Sequence, residues 1–352
     1  MADVFDDARL DDVAALSSAD HVLRPLAEAG ARVRREAAAA VEAIDEAVVA
    51  AAGDARPRAV VAAGPDSRLL RAVLEPWCPV PFVAWPGPSL PGWAGSLDLV
   101  VVLAPEGRDT GSASAVAEAV RRGAQLVVAC PPASLVAQHA AGRDTVMLPT
   151  SSGDQLATAV VMLEYLERLD LGPHTEAEAV AQALDQVAVA CSPHRDLAVN
   201  PAKSLAIALG DATPLLWGGS VLAARAARRI AESIRAGSGR TALAADAERL
   251  LPVIEASALP DVFADPFTDA TDGDLRPVLV VLDDGSSELP VREQRDRLVR
   301  TAQERRVRVE TVTTDAAGEV ARYAALLTTG RYAAAYLGVA MGRLSDGVSE
   351  QG

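Results

Sequence analysis

Lysine is almost missing from this chain. Among its 352 residues are 33 basic ones, and only Lys203 is a lysine; the other 32 are arginine. Aromatic residues make up 3% of the chain, and there are four histidines and three cysteines. Cys78, Cys130 and Cys191 are odd in number and far apart, with no CxxC spacing, so neither a disulfide framework nor a cysteine metal site is indicated. Cys78 and Cys130 adjoin apolar runs and are expected to be buried thiols. No GxGxxG, GxxxxGK[ST], HExxH or Ser-His-Asp order occurs, so no cofactor is expected. The net charge of −15 and pI of about 4.8 exclude phosphate-backbone binding, hence nucleic acid, and docking on anionic membranes. The N-terminus, Met1-Ala2-Asp3-Val4-Phe5-Asp6-Asp7, has no apolar signal region, and no apolar run reaches the roughly 18 residues of a membrane span. A soluble, cytoplasmic protein is expected.

Half the residues are apolar, chiefly Ala, Val and Leu, enough for two domains of ordinary size or one large one. Residues 8–52 read as two helices, the second through Val33–Ala51. Five short apolar runs then alternate with helical segments: 59–63, 80–84, Leu97–Leu103, Ala124–Cys130 and 145–148. Continuous apolar strands separated by helices predict a parallel sheet covered on both faces. Residues 173–209 read as two connecting helices. A second alternation follows, with strands at 213–217, 277–282 and 307–312 and helices at 221–235, 291–305, 318–327 and 331–341. Ala256–Leu275, rich in Asp and Pro, is expected to be a long loop. The expected architecture is α/β, with two doubly wound parallel-sheet αβα sandwiches of flavodoxin-like form. The expected division is N-terminal helices plus a first domain over 1–170, connecting helices over 171–211, and a second domain over 212–352.

In such folds ligands bind beyond the carboxyl ends of the strands. Three strand-to-helix loops are candidates: Gly64–Ser67, Ala104–Ser112 and Gly218–Ser220. Small hydroxyl residues at helix N-termini suit phosphate, although Ser and Thr are also ordinary N-caps and glycine ordinary turn chemistry. The Ala104–Ser112 loop offers Gly107, Thr110 and Ser112 but also Glu106 and Asp109, and a pairing of Arg108 with either carboxylate would weaken anion binding. Lys203 follows the expected N-cap Asn200 and Pro201, in a first helical turn where the dipole disfavours a cation. Either chance placed it there, or a counter-anion from a ligand or a nearby carboxylate does. Among the histidines only His194, close to this segment, is a candidate for a site.

Asn200-Pro201-Ala202-Lys203-Ser204-Leu205-Ala206 resembles the NPAKxxA segment of the sugar isomerase (SIS) domain proteins, specifically the bifunctional phosphoglucose/phosphomannose isomerases and their divergent actinobacterial branch. Arg225–Glu232 (RAARRIAE) resembles the segment that places an arginine seven residues before the catalytic glutamate of that family. The resemblance implies two SIS domains, a homodimer, and interconversion of glucose and mannose 6-phosphates with the ketose through an enediol. Glu232 would be the base, Gly64, Ser67, Gly107, Thr110 and Ser112 would line the phosphate site, and Lys203 would be a nearby cation.

The departures from that pattern concern catalysis. The loop lacks the leading serines of the family's SYSGNTEET. Pro149-Thr150-Ser151 has no arginine where the family has Pro-Arg. Pro260-Asp261-Val262-Phe263-Ala264-Asp265 has alanine where the ring-opening histidine belongs, no histidine follows His194, and 345–348 offer no lysine. Glu232 also fits a solvated charge beside Arg228 or Arg229. The expectation is an isomerase-like protein with a depleted catalytic set that binds a phosphosugar or related carbohydrate; the alternative is a non-catalytic structural or regulatory partner-binding protein on the same fold.

Overall fold

Runs such as Leu99–Leu103 (LVVVL) and Gln125–Cys130 (QLVVAC) carry β-branched residues on both faces and cannot leave either face in water. The computed structural model buries both faces, and it describes residues 5–53, 55–142, 144–257 and 275–344. The chain divides into two compact units, Ala29–Gln182 and Met1–Glu28 with Ala183–Gly352.

A short 3₁₀ turn at Asp7–Leu10 precedes helices α1 (Val13–Ser18) and α2 (Asp20–Ala27). The first complete unit then runs α3 (Ala29–Ala50), β1 (Val60–Ala63), α4 (Ser67–Leu74), β2 (Phe82–Trp85), β3 (Leu99–Leu103), α5 (Thr110–Arg122), β4 (Gln125–Cys130), α6 (Leu135–His139), β5 (Thr145–Pro149) and α7 (Gln155–Arg168). All five strands are parallel, in the order β2-β1-β3-β4-β5. On one face Val100, Val102, Leu126 and Val128 pack with Ala115, Val116 and Ala119 of α5. The chain leaves β1 towards β2 on one side and later returns to β3 on the other. The direction of winding therefore reverses between β1 and β3, the place where sheets of this kind form a ligand crevice beyond the carboxyl ends of their strands.

Helix α8 (Ala177–Ala190) leads onward to α9 (Pro201–Gly210), β6 (Ala212–Gly218), α10 (Val221–Ser238), β7 (Leu243–Ala244), α11 (Ala247–Glu255), β8 (Arg276–Asp283), α12 (Leu289–Glu304), β9 (Arg308–Thr313) and α13 (Glu319–Ala340). This second sheet is also parallel, in the order β7-β6-β8-β9. Leu215, Trp217, Leu279 and Val281 pack with Leu250, Leu251 and Ile254 of α11 and Leu298 of α12. Helix α13 is buried nearly all round, including Tyr323, Tyr332 and Tyr336. None of the described helices is long and apolar enough to cross a membrane.

The two-sheet α/β architecture is as expected, with local differences. The region expected to form two helices over 8–52 holds a 3₁₀ turn and three helices, because Asp6 and Asp12 each cap a fresh start with their carboxylates. The two helices expected over 318–341 are one, since Gly330 packs against Ile230 inside an unbroken α13 instead of ending a helix. Strand β7 and helix α11 were not expected. Most of the long loop, residues 258–274, lies outside the described residues, as does Pro260–Asp265.

Cys130 and Cys191 are buried, whereas Cys78 is only half-buried. Burial pushes the Cys130 thiol up from its ordinary range and that of Cys191 up to about 12, and desolvation also raises Cys78. Labelling with a thiol reagent at pH 8 should therefore reach Cys78 alone in the folded protein, and all three cysteines in denaturant, as read by mass spectrometry of the adducts.

Candidate active-site crevice

The carboxyl ends of β1 and β3 bring Gly64, Ser67 and Ser112 together. Gly64 has φ +88, and its N–H donates to the carbonyl of Trp85 at 3.0 Å. A Cβ at this position would lie 2.7 Å from Ser112 Oγ, so the close approach of the β1 loop to the first turn of α5 requires glycine. Ser67 opens α4, and its N–H donates to the Gly64 carbonyl at 3.1 Å. The hydroxyls of Ser67 and Ser112 are buried, and among the described residues neither has a hydrogen-bond partner. An unpartnered buried hydroxyl is costly, and two at one crevice are unusual.

The other loop residues have visible structural duties. Gly107, at φ +66, lies against Ser134: a Cβ there would fall 2.2 Å from Ser134 Cβ. Thr110 is the first residue of α5 and is exposed. Asp109 caps α5, its Oδ1 accepting from the Ser112 N–H at 2.6 Å. Arg108 is exposed and makes no ion pair with Glu106 or Asp109, so the pairing that would have neutralised the loop does not occur.

Around the same sheet edge lie residues that the sequence reading missed. Glu36 of α3 is fully buried, accepting from the N–H groups of Ser151 and Ser152 at 2.9 and 2.5 Å and from Ser151 Oγ at 3.1 Å. It fixes the turn after β5, where the arginine of the resembled family is replaced by Thr150, itself buried with an unpartnered hydroxyl. A signal for Glu36 existed: it lies on the helical stripe of Val33, Ala37, Ala40 and Ile44, where a solvated carboxylate has no place. Asp154 caps α7 and binds Arg32 at 2.8 Å, while Gln155 donates to Asp66 at the head of α4.

The remaining candidates belong to the second unit. Gly218–Ser220 is closed by packing. A Cβ at Gly218 would lie 2.2 Å from the backbone of Ala223, and one at Gly219 2.2 Å from Val291. Ser220 Oγ caps α10 and bonds Asp284 across the place where winding reverses between β6 and β8. Lys203 is 1% exposed, and its ammonium donates to Asp11 Oδ1 at 3.0 Å and to the carbonyls of Pro193 and Arg195, each at 3.1 Å. Its counter-anion is thus the nearby carboxylate, and all three of its donors are used within the chain. The ammonium also sits 5.9 Å from the centre of the Tyr336 ring. Glu232 is exposed on α10 and paired with Arg229. His194 lies exposed on the rim of a groove of about 680 Å³ that Asp11 and Arg195 also line. No group of three or more His, Cys, Asp or Glu side chains among the described residues is placed to hold a metal ion.

Two parallel sheets of this order, with helix N-termini gathered at their carboxyl edges, form an α/β fold similar to that of phosphosugar isomerases. Residues 198–344 match the family model of the bacterial phospho-glucose isomerase C-terminal SIS domain. No curated protein matches the chain in sequence. Among solved structures, it is similar to tagatose-6-phosphate ketose/aldose isomerase from Escherichia coli at 13% identity and a TM-score of 0.69, covering 95% of this chain and 97% of that one. The C-terminal domain of glucosamine-fructose-6-phosphate aminotransferase from Francisella tularensis is 12% identical at a TM-score of 0.66, with 91% and 96% covered. A glucose-6-phosphate isomerase like protein from Thermus thermophilus is 18% identical at a TM-score of 0.50, with 84% and 85% covered. At these identities the likeness concerns the fold.

The saturated ammonium makes Lys203 a test of internal packing. Lys203→Met should destabilise the protein by about 1–3 kcal/mol, because carbonyl acceptors lose their donor. Asp11 is 61% exposed in that pair, so Asp11→Ala should cost no more than about 1 kcal/mol. Denaturant unfolding of both variants measures the difference.

Proposed function

We propose that this chain binds a carbohydrate derivative of the sugar-phosphate type in the crevice between β1 and β3 and does not interconvert aldoses and ketoses. The observation that carries the reading is the pair of buried, unpartnered hydroxyls of Ser67 and Ser112 at the point where the sheet reverses its winding. Two helices begin there, α5 already capped by Asp109, and the positive ends of their dipoles favour an anion. Gly64 keeps the two loops in contact, Thr110 adds an exposed hydroxyl, and Gly107 holds its loop against α6.

Isomerisation needs an acid to open the ring and a base to move a proton between C1 and C2. Glu232, the candidate base, is a surface carboxylate held by Arg229, and the sequence has no histidine beyond His194. Lys203 serves as an internal cation in this reading, and its role is structural. The resemblance also implies a homodimer, which sedimentation velocity tests.

The decisive measurement is loss of the C2 proton from glucose 6-phosphate and mannose 6-phosphate in deuterated water, followed by NMR beside a direct binding titration. The expected result is binding without exchange. Exchange that disappears in Glu232→Gln would restore the isomerase, and absence of binding would leave the crevice without a ligand.

A further inference from the structure

Arginine is this chain's cation, and in the first α/β unit most arginines are tied down. Among the described residues seven of them make ion pairs there, Arg32, Arg58 and Arg71 being examples. Arg35, Arg56, Arg68 and Arg108 make none, and of these four Arg68 and Arg108 lie at the junctions that follow β1 and β3. Both are exposed, and each stands at the head of a loop-to-helix junction that flanks the crevice. Arg68 is the second residue of α4, and Arg108 immediately precedes the N-cap of α5. A cation at the positive end of a helix is disfavoured unless an anion accompanies it. The carboxylates beside them are committed elsewhere: Asp66 accepts from Gln155, and Asp109 accepts from the Ser112 amide. Glu106, on the same loop, lies within ion-pair distance of neither arginine.

Two guanidiniums without an ion-pair partner among the described residues thus stand at the two junctions that also carry the unpartnered hydroxyls of Ser67 and Ser112. We propose that Arg68 and Arg108 are the anion grip of this site, taking the phosphate monoester of the bound carbohydrate where a hydroxyl cradle is depleted. A guanidinium presents a planar fork of donors that matches phosphate oxygens in pairs, which makes two arginines a sufficient substitute for several serines. The assignment rests on the reading of the crevice as a sugar-phosphate site. It also gives a reason for the sequence pattern of the loop, which lacks the leading serines and carries a cation with no ion-pair partner among the described residues.

The test is calorimetric titration of inorganic phosphate, glucose 6-phosphate and glucose into the full chain and into Arg68→Gln, Arg108→Gln and the double variant. Both side chains are exposed, so unchanged thermal midpoints should confirm that the variants fold. Each single variant should weaken glucose 6-phosphate at least tenfold. The double variant should lose both phosphate ligands, any binding of glucose should stay the same, and Arg108→Lys should recover part of the loss. Wild-type affinity should also fall as salt rises. If the wild type binds glucose 6-phosphate and the double variant binds it equally well, the grip is wrong and the site reading stands. If the wild type binds neither phosphate ligand, the site reading itself fails and the grip with it.

Discussion

A parallel sheet buried on both faces delivers its helix N-termini to one edge, and so concentrates there amide donors that no helix can satisfy from within. Much of what distinguishes the first domain is an answer to that constraint. Asp109, Ser134 and Asp154 supply acceptors to α5, α6 and α7 from their own cap positions, and Glu36 reaches from α3 to hold the turn after β5. The head of α4 is the exception: Asp66 makes no cap bond, and Ser67 beside it keeps an unpartnered hydroxyl. Of these four junctions the head of α4 is the one without a side-chain cap, and it borders the reversal of winding, as does the head of α5 with its unpartnered Ser112 hydroxyl.

The second sheet obeys the same constraint with the opposite outcome. Its reversal point is bridged by Ser220 and Asp284, and the glycines before α10 are consumed by contact with Ala223 and Val291. Two sheets of related design thus differ in whether their crevice is finished by the chain itself. The closed one contributes packing. The open one keeps the polar groups that a ligand can satisfy.

The architecture was legible because apolar runs such as those of β3 and β4 are long, continuous and separated by helical periods. The glycine positions were legible as well, although their reasons differ: Gly64 admits Ser112, whereas Gly218 admits only its own helix. What sequence could not give was the destination of charges. The counter-anion of Lys203 is Asp11, 192 residues away, and nothing local announces it. Arg108 stands next to Asp109 and near Glu106, yet pairs with neither, because Asp109 turns to cap its own helix. The SIS resemblance pointed to the right fold, while which of the transferred residues still act in chemistry depends on partners that only the folded chain assembles.

The burial of Lys203 reaches beyond stability. It is the sole side-chain primary amine of the protein, and it is sealed between α9, the connector before it and the N-terminal turn. Enzymes that tag proteins through lysine, and reagents that acylate it, find no exposed amine side chain on the folded molecule. Such marks can be written only while that region is open, so they record the history of its folding and leave the finished surface unmarked.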